Sequence, residues 1–99
     1  MPKSRKINRN DDQKMFPIQC RMARTALAWG VRDLAKAADV SHDTVVRFER
    51  GEELKDRTVA AMQESLERAG VEFIAEDESS AGGGPGVRLA KPMRRKRGK

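Results

Sequence analysis

Two short helical patterns and the turn between them make up residues 31–51, VRDLAKAADVSHDTVVRFERG. Apolar residues spaced by three and four positions indicate a first helix over residues 31–38. A second helix is predicted over residues 42–50, because the Ser41 hydroxyl can cap its first amides. Gly51 is typical of the position just after a helix, so we expect the second helix to stop there.

Small and apolar side chains within this stretch predict how the two helices pack. Ala35 lets the helices cross closely, because a bulky side chain at this position would push them apart. Val40, Val45 and Phe48 are predicted to hold the pair against flanking helices. Two helices joined by such a turn form a helix-turn-helix, whose second helix protrudes from the domain.

Flanking helices are predicted on both sides of this pair. The preceding helix spans about residues 16–30, with Pro17 in the first turn, where a helix tolerates proline. The following helix spans about residues 56–69 and ends at Gly70. Their apolar faces are predicted to consist of Phe16, Cys20, Ala23 and Leu27 in the preceding helix, and of Val59, Met62 and Leu66 in the following one.

Short alternating patterns near the C-terminus indicate a β-hairpin with strands at residues 71–73 and 86–89. The sequence therefore predicts an all-α fold of four or five helices with a short C-terminal β-hairpin and disordered basic termini. The predicted segments are a basic arm at 1–14, a helix-turn-helix domain at 15–69, a hairpin appendage with a Gly-rich loop at 70–90 and a basic tail at 91–99.

The net charge of +6 is unevenly distributed along the chain. Residues 1–14 carry five basic and two acidic side chains, and residues 88–99 carry seven basic side chains and no acidic one. The body between them holds nine basic and 13 acidic side chains. The termini are therefore interpreted either as arms that follow DNA phosphates or as solubilising tails.

Composition argues against secretion and membrane insertion. The single cysteine, Cys20, cannot form an internal disulfide, and no N-terminal apolar run resembles a secretory signal. No apolar stretch approaches the roughly 20 residues that span a bilayer. We therefore expect a cytoplasmic protein without a membrane partner.

Motifs for catalysis or cofactor binding are also missing from the sequence. His42 is the only histidine, and no cluster of His, Cys, Asp or Glu has the spacing of metal ligands. The glycine run at 82–86 lacks the Gly-Lys-Ser/Thr ending of a phosphate-binding loop. The prediction is a protein that is not an enzyme and has neither a cofactor nor a metal.

The outer face of the second helix of the pair is the candidate DNA-reading surface. Arginine pairs well with guanine in the major groove, and aspartate can accept a hydrogen bond from cytosine. The predicted base-reading residues are His42, Asp43, Thr44, Val46 and Arg47. The predicted phosphate-binding residues are Arg32, Lys36, Arg50, Lys55 and Arg57.

Residues 16–69 resemble the helix-turn-helix repressors of the Cro and cI type, the XRE family. The resemblance is carried by Leu34-Ala35, Val40-Ser41, Thr44-Val45 and Phe48-Glu49-Arg50-Gly51.

This resemblance implies roles for individual positions. Val31 falls at a DNA-contacting position, Asp39 replaces the usual turn glycine, and Arg24 is expected to pair with Glu49. The base-reading positions that it implies are His42, Asp43 and Arg47. A β-hairpin like the predicted one also occurs in small bacterial regulators of this group.

We therefore expect a sequence-specific regulator of transcription, a repressor that binds double-stranded DNA as a homodimer in the bacterial cytoplasm or nucleoid. The alternative is a protein-binding module of the same fold, an antiactivator or antitoxin that sequesters another regulatory protein. The anionic Asp43 and the apolar Val31 and Val46 favour this alternative, whereas Arg47, Arg50 and the basic termini favour DNA.

Overall fold

The computed structural model of the protein describes residues 14–75 and 83–90. The prediction of a mostly helical chain with a small antiparallel sheet is confirmed for these residues. Most of the arm at 1–14, part of the Gly-rich loop and the tail at 91–99 lie outside them. The elements are α1 (Pro17–Leu27), α2 (Val31–Ala38), α3 (His42–Glu49), α4 (Asp56–Arg68), β1 (Val71–Ile74) and β2 (Gly86–Leu89).

The start of α1 differs from the prediction in one core residue. Pro17 is the first residue of the helix, and the backbone N–H of Phe16 donates to Gln19 Oε1 at 2.9 Å. The prediction that Phe16 belongs to the core is wrong, since this residue is 47% exposed. Phe16 precedes the helix, so the helical repeat that turns Cys20 and Ala23 inward does not apply to it. Met15, only 3% exposed, is the buried apolar residue at this end.

Two residues with left-handed backbone conformation end α1 and α2. Ala28 adopts φ 60° and ends α1 at Leu27, earlier than the predicted end near residue 30. Asp39 adopts the same φ of 60° after α2, in the position where the resemblance implies a turn glycine. Aspartate tolerates this conformation better than most residues, so the chain makes the tight connection to α3 without glycine.

The ends of α3 follow the capping pattern predicted from the sequence. The hydroxyl of Ser41 accepts a hydrogen bond from the Thr44 N–H at 3.0 Å, which satisfies one of the unpaired amides of the first turn. The helix ends at Glu49, one residue before the predicted end. Gly51 follows with φ 99°, a conformation that strains any residue with a Cβ atom.

The hairpin packs mainly against α1. Val71 pairs with Leu89, and Phe73 pairs with Val87, in an antiparallel register. The buried Gln19 side chain joins the helix to the sheet, because its Nε2 donates to the carbonyls of Ile74 (3.1 Å) and Gly86 (3.0 Å).

The core lies between the four helices and extends to the first residue of the hairpin. Ala35 on α2 is only 6% exposed, and α2 packs on both α3 and α4. The prediction that Cys20 is a core residue is confirmed. The largest fully buried side chains are those of Leu34, Met62, Leu66, Val45 and Cys20.

Replacing Ala35 with leucine is expected to lower the free energy of unfolding by about 1–3 kcal/mol, because the extra carbon atoms have no space between the packed helices. The matched control is Ala37→Leu, which places the same side chain on the exposed face of the same helix. Urea denaturation followed by circular dichroism measures both changes. Equal stability of the two variants would contradict the predicted close packing at Ala35.

Candidate nucleic-acid interface

The helix α3 has one buried face and one exposed face. Val45 is fully buried and Phe48 is 6% exposed, and they face the core formed with α1 and α2. Most of the predicted DNA-contacting residues of this segment are exposed to solvent: His42, Asp43, Arg47 and Arg50.

Two predicted base-reading residues are less accessible than expected. Val46 is half-buried, although the sequence places it on the outer face. Thr44 is also half-buried, and its Oγ1 lies 2.8 Å from Ser41 Oγ in the helix cap. These two residues are therefore poorer candidates for base contact than their exposed neighbours. Val31, at a DNA-contacting position by resemblance, packs partly against the core.

Asp43 has two interactions within α3. It lies in the first turn, where a carboxylate is stabilised by the helix dipole. Its Oδ2 is also 3.8 Å from Nη1 of Arg47, one helical turn later. Both interactions stabilise α3 only weakly, and neither requires DNA.

Glu52 connects the two exposed arginines at the end of this segment. Its Oε1 accepts a hydrogen bond from Arg47 Nε at 3.0 Å, and its Oε2 accepts one from Arg50 Nη2 at 3.0 Å. These hydrogen bonds lower the pKa of the Glu52 carboxyl, which therefore stays ionised at neutral pH. Sequence reasoning missed Glu52. The available signal was Gly51, because a glycine that ends a helix brings the next residue back over the last turn.

The other predicted phosphate-binding residues lie on both sides of α3. Arg32 and Lys36 belong to α2, whereas Lys55 and Arg57 lie at the start of α4. All four are exposed, and none forms an ion pair with another residue of the described ranges. Their charges are therefore available to an anionic partner.

A partly buried ion pair connects the end of α3 with α1. The pair expected between Arg24 and Glu49 is present and bidentate: Nε and Nη2 of the arginine each donate to a carboxylate oxygen at 2.8 Å. The Cys20 thiol also donates to Glu49 Oε2, with 3.1 Å between sulfur and oxygen. Only 7% of the Glu49 side chain and 17% of the Arg24 side chain are exposed.

The charge states of this cluster follow from its burial. Burial raises the pKa of the Glu49 carboxyl, but the hydrogen bonds from Arg24 and Cys20, together with the positive charges of Arg24 and Arg21, outweigh this effect and hold the pKa below its ordinary value of 4.5. Burial, followed by the hydrogen bond to Glu49, raises the pKa of the Cys20 thiol. The thiol therefore stays protonated and acts as a hydrogen-bond donor within the cluster.

Comparison with known proteins gives no family assignment: no family model matches the chain, and no curated protein matches it significantly. Among residues 14–75 and 83–90, no group of three His, Cys, Asp or Glu residues is arranged to hold a metal ion. The helices in these same ranges are all too short or too polar to cross a bilayer.

The substitution Glu49→Gln is expected to lower the free energy of unfolding by about 3 kcal/mol at pH 7, because the charge of Arg24 then lacks its partner. Since the folded pKa of Glu49 is lowered, this stabilisation is present above pH 4.5 and is lost as the pH falls through the folded pKa. The difference in the free energy of unfolding between wild type and Glu49→Gln should therefore become smaller in acid. Urea denaturation over a pH series measures it.

The matched control is Lys14→Ala, which removes an exposed ion pair with 3.0 Å between Lys14 Nζ and Asp56 Oδ1. Exposed pairs contribute at most about 1 kcal/mol. If the stability lost in Glu49→Gln stays constant down to about pH 3, the loss is not caused by removal of the carboxylate charge.

Proposed function

We propose that the protein is a helix-turn-helix regulator of transcription that binds double-stranded DNA through the outer face of α3. The observation that carries this proposal is the two-sided character of α3. Val45 and Phe48 fix its inner face in the core, while His42, Asp43 and Arg47 remain exposed along its outer face. A helix held in this way is suited to the major groove, where its side chains meet base edges.

Charge supports the placement of DNA against this face. Arg32 and Lys36 are exposed on α2, which precedes α3. Lys55, just before α4, and Arg57, in the first turn of α4, are exposed after α3. Phosphate contacts from such residues position a protein on the duplex without reading its sequence. The basic termini, with seven cationic side chains in residues 88–99 alone, add to the attraction.

We propose that the protein acts as a homodimeric repressor. An eight-residue helix is about 12 Å long and reaches only a few base pairs. Two copies on half-sites one helical turn apart would supply the missing affinity and specificity, which predicts a palindromic operator. The helix order, the turn at Asp39 and the pairing of Arg24 with Glu49 support a place among the Cro and cI-type regulators.

The substitution Arg47→Ala is expected to weaken binding to a selected operator by about fivefold or more, because a bidentate arginine–guanine contact is worth about 1–3 kcal/mol. Duplexes would first be selected from a randomised pool by the wild-type protein. Fluorescence anisotropy at two salt concentrations then measures the affinity, which should fall steeply with salt. The control is Arg68→Ala, which removes an exposed arginine in the last turn of α4.

If Arg68→Ala weakens binding as much as Arg47→Ala, the loss reflects total charge and α3 is not the reading helix. If no sequence is enriched by the wild-type protein, specific DNA recognition is ruled out for the chain.

A second candidate function is protein binding, and exposed apolar residues favour it. Phe16, just before α1, is 47% exposed, and Ile18 in the first turn of α1 is 49% exposed. Exposed large apolar side chains that lie close together can mark a contact with another protein. The carboxylates of Asp43 and Glu52 beside Arg47 also suit a partner with mixed charge. Co-purification of a protein partner that Ile18→Asp releases, together with the failure of DNA selection, would favour this function.

A further inference from the structure

We propose that Glu52 is a positioning residue that sets the base specificity of Arg47 by orienting its guanidinium group for guanine. This inference rests on the proposed function, because it assigns a role in DNA reading to a residue that lies outside α3. Glu52 would act through Arg47 and would not itself contact a base.

The backbone fixes the location of Glu52. The N–H of Gly51 donates to the Phe48 carbonyl at 2.9 Å, and the N–H of Glu52 donates to the Arg47 carbonyl at 3.0 Å. These two bonds and the left-handed φ of Gly51 form a Schellman motif, which places the residue after the glycine over the last helical turn. A hydrophobic contact usually accompanies this motif, but here an ion pair between Glu52 and Arg47 takes its place.

The hydrogen bond from Arg47 to Glu52 uses one particular part of the guanidinium group. Nε donates to the carboxylate at 3.0 Å, whereas neither Nη group donates a hydrogen bond to any residue in the described ranges; Nη1 lies 3.8 Å from Asp43 Oδ2, beyond hydrogen-bond distance. Bidentate recognition of guanine needs two parallel N–H donors directed at O6 and N7. Holding Nε therefore leaves the pair of Nη donors for the base and restricts the rotation of a long, exposed side chain.

The same carboxylate also accepts a hydrogen bond from Arg50, so its position is fixed by two arginines and by its own backbone. Such a carboxylate has two opposing effects on DNA binding. It orders the reading group, which favours the correct base, and it repels phosphates, which lowers the affinity for every sequence. The proposal therefore predicts effects of opposite sign on specific and non-specific binding.

The test compares two duplexes. The first is one that the wild-type protein selects from a randomised pool. The second is the same duplex with adenine–thymine in place of the guanine–cytosine pair at which Arg47→Ala loses its preference. For Glu52→Ala, discrimination between them should fall about fivefold or more, the lower limit for a bidentate arginine–guanine contact. Affinity for a scrambled duplex should rise, because an anion has been removed.

Two further variants separate orientation from charge. Glu52→Gln keeps an oxygen that can accept from Arg47 Nε, so it should retain most of the discrimination while binding the scrambled duplex more tightly. Glu53→Ala removes a neighbouring exposed carboxylate that forms no ion pair within the described residues. It should leave the discrimination unchanged. Because all these sites are exposed, the variants should unfold within about 4 °C of wild type.

A double variant tests whether Glu52 acts through Arg47. Adding Glu52→Ala to Arg47→Ala should cause no further loss of discrimination. If Glu52→Ala discriminates between the two duplexes as well as wild type does, even with a higher affinity for both, the inference is overturned while the proposed function stands. If the wild-type protein enriches no sequence, the proposed function is overturned and this inference with it.

Discussion

The helix α3 is too short to be stable by itself, and the fold depends on how its inner face is held. A helix of eight residues is marginal in water, so its structure must come from tertiary packing. Val45 and Phe48 supply this packing from the helix itself, and the turn at Asp39 sets where the helix starts. Because these contacts use only the inner face, the outer face remains available for a partner.

Two carboxylates near the end of α3 illustrate opposite uses of an ion pair. Glu49 is nearly buried, and its bidentate pair with Arg24 fixes the helix to α1. Glu52 is exposed, and its pairs with Arg47 and Arg50 contribute little to stability because water screens them. The first pair positions the helix as a body, and the second orders side chains on its surface. On the proposed function, the two pairs give successive levels of preorganisation, which reduces the entropy that binding must overcome.

Much of the fold was predictable because local sequence signals agree with the tertiary contacts. Ser41 and Gly51 mark the ends of α3, and the apolar spacing in α4 gives its correct buried face. Phe16 departs from the predicted core because helical periodicity does not extend to the residue before a helix. Half-buried Val46 could not be predicted from the pattern, since its burial depends on how deeply α3 sits against its neighbours. The hydrogen bonds of Glu52 to Arg47 and Arg50 depend on side-chain geometry after a turn, which periodicity does not describe. The proposed partner, DNA, is inferred from the resemblance and the exposed surface together.

The charge distribution bears on how affinity and selectivity are divided along the chain. The body, residues 15–87, holds more acidic than basic side chains, whereas the cationic excess lies in the terminal segments. Attraction between unlike charges is not sequence-specific, so cations in the termini would strengthen binding to any duplex. The same excess on the reading helix would also strengthen binding to every sequence. On the proposed function, Asp43 and Glu52 limit this effect on α3, because each brings a negative charge close to Arg47. Discrimination would then come from the oriented arginine, while most of the electrostatic affinity would come from residues that make no base contact.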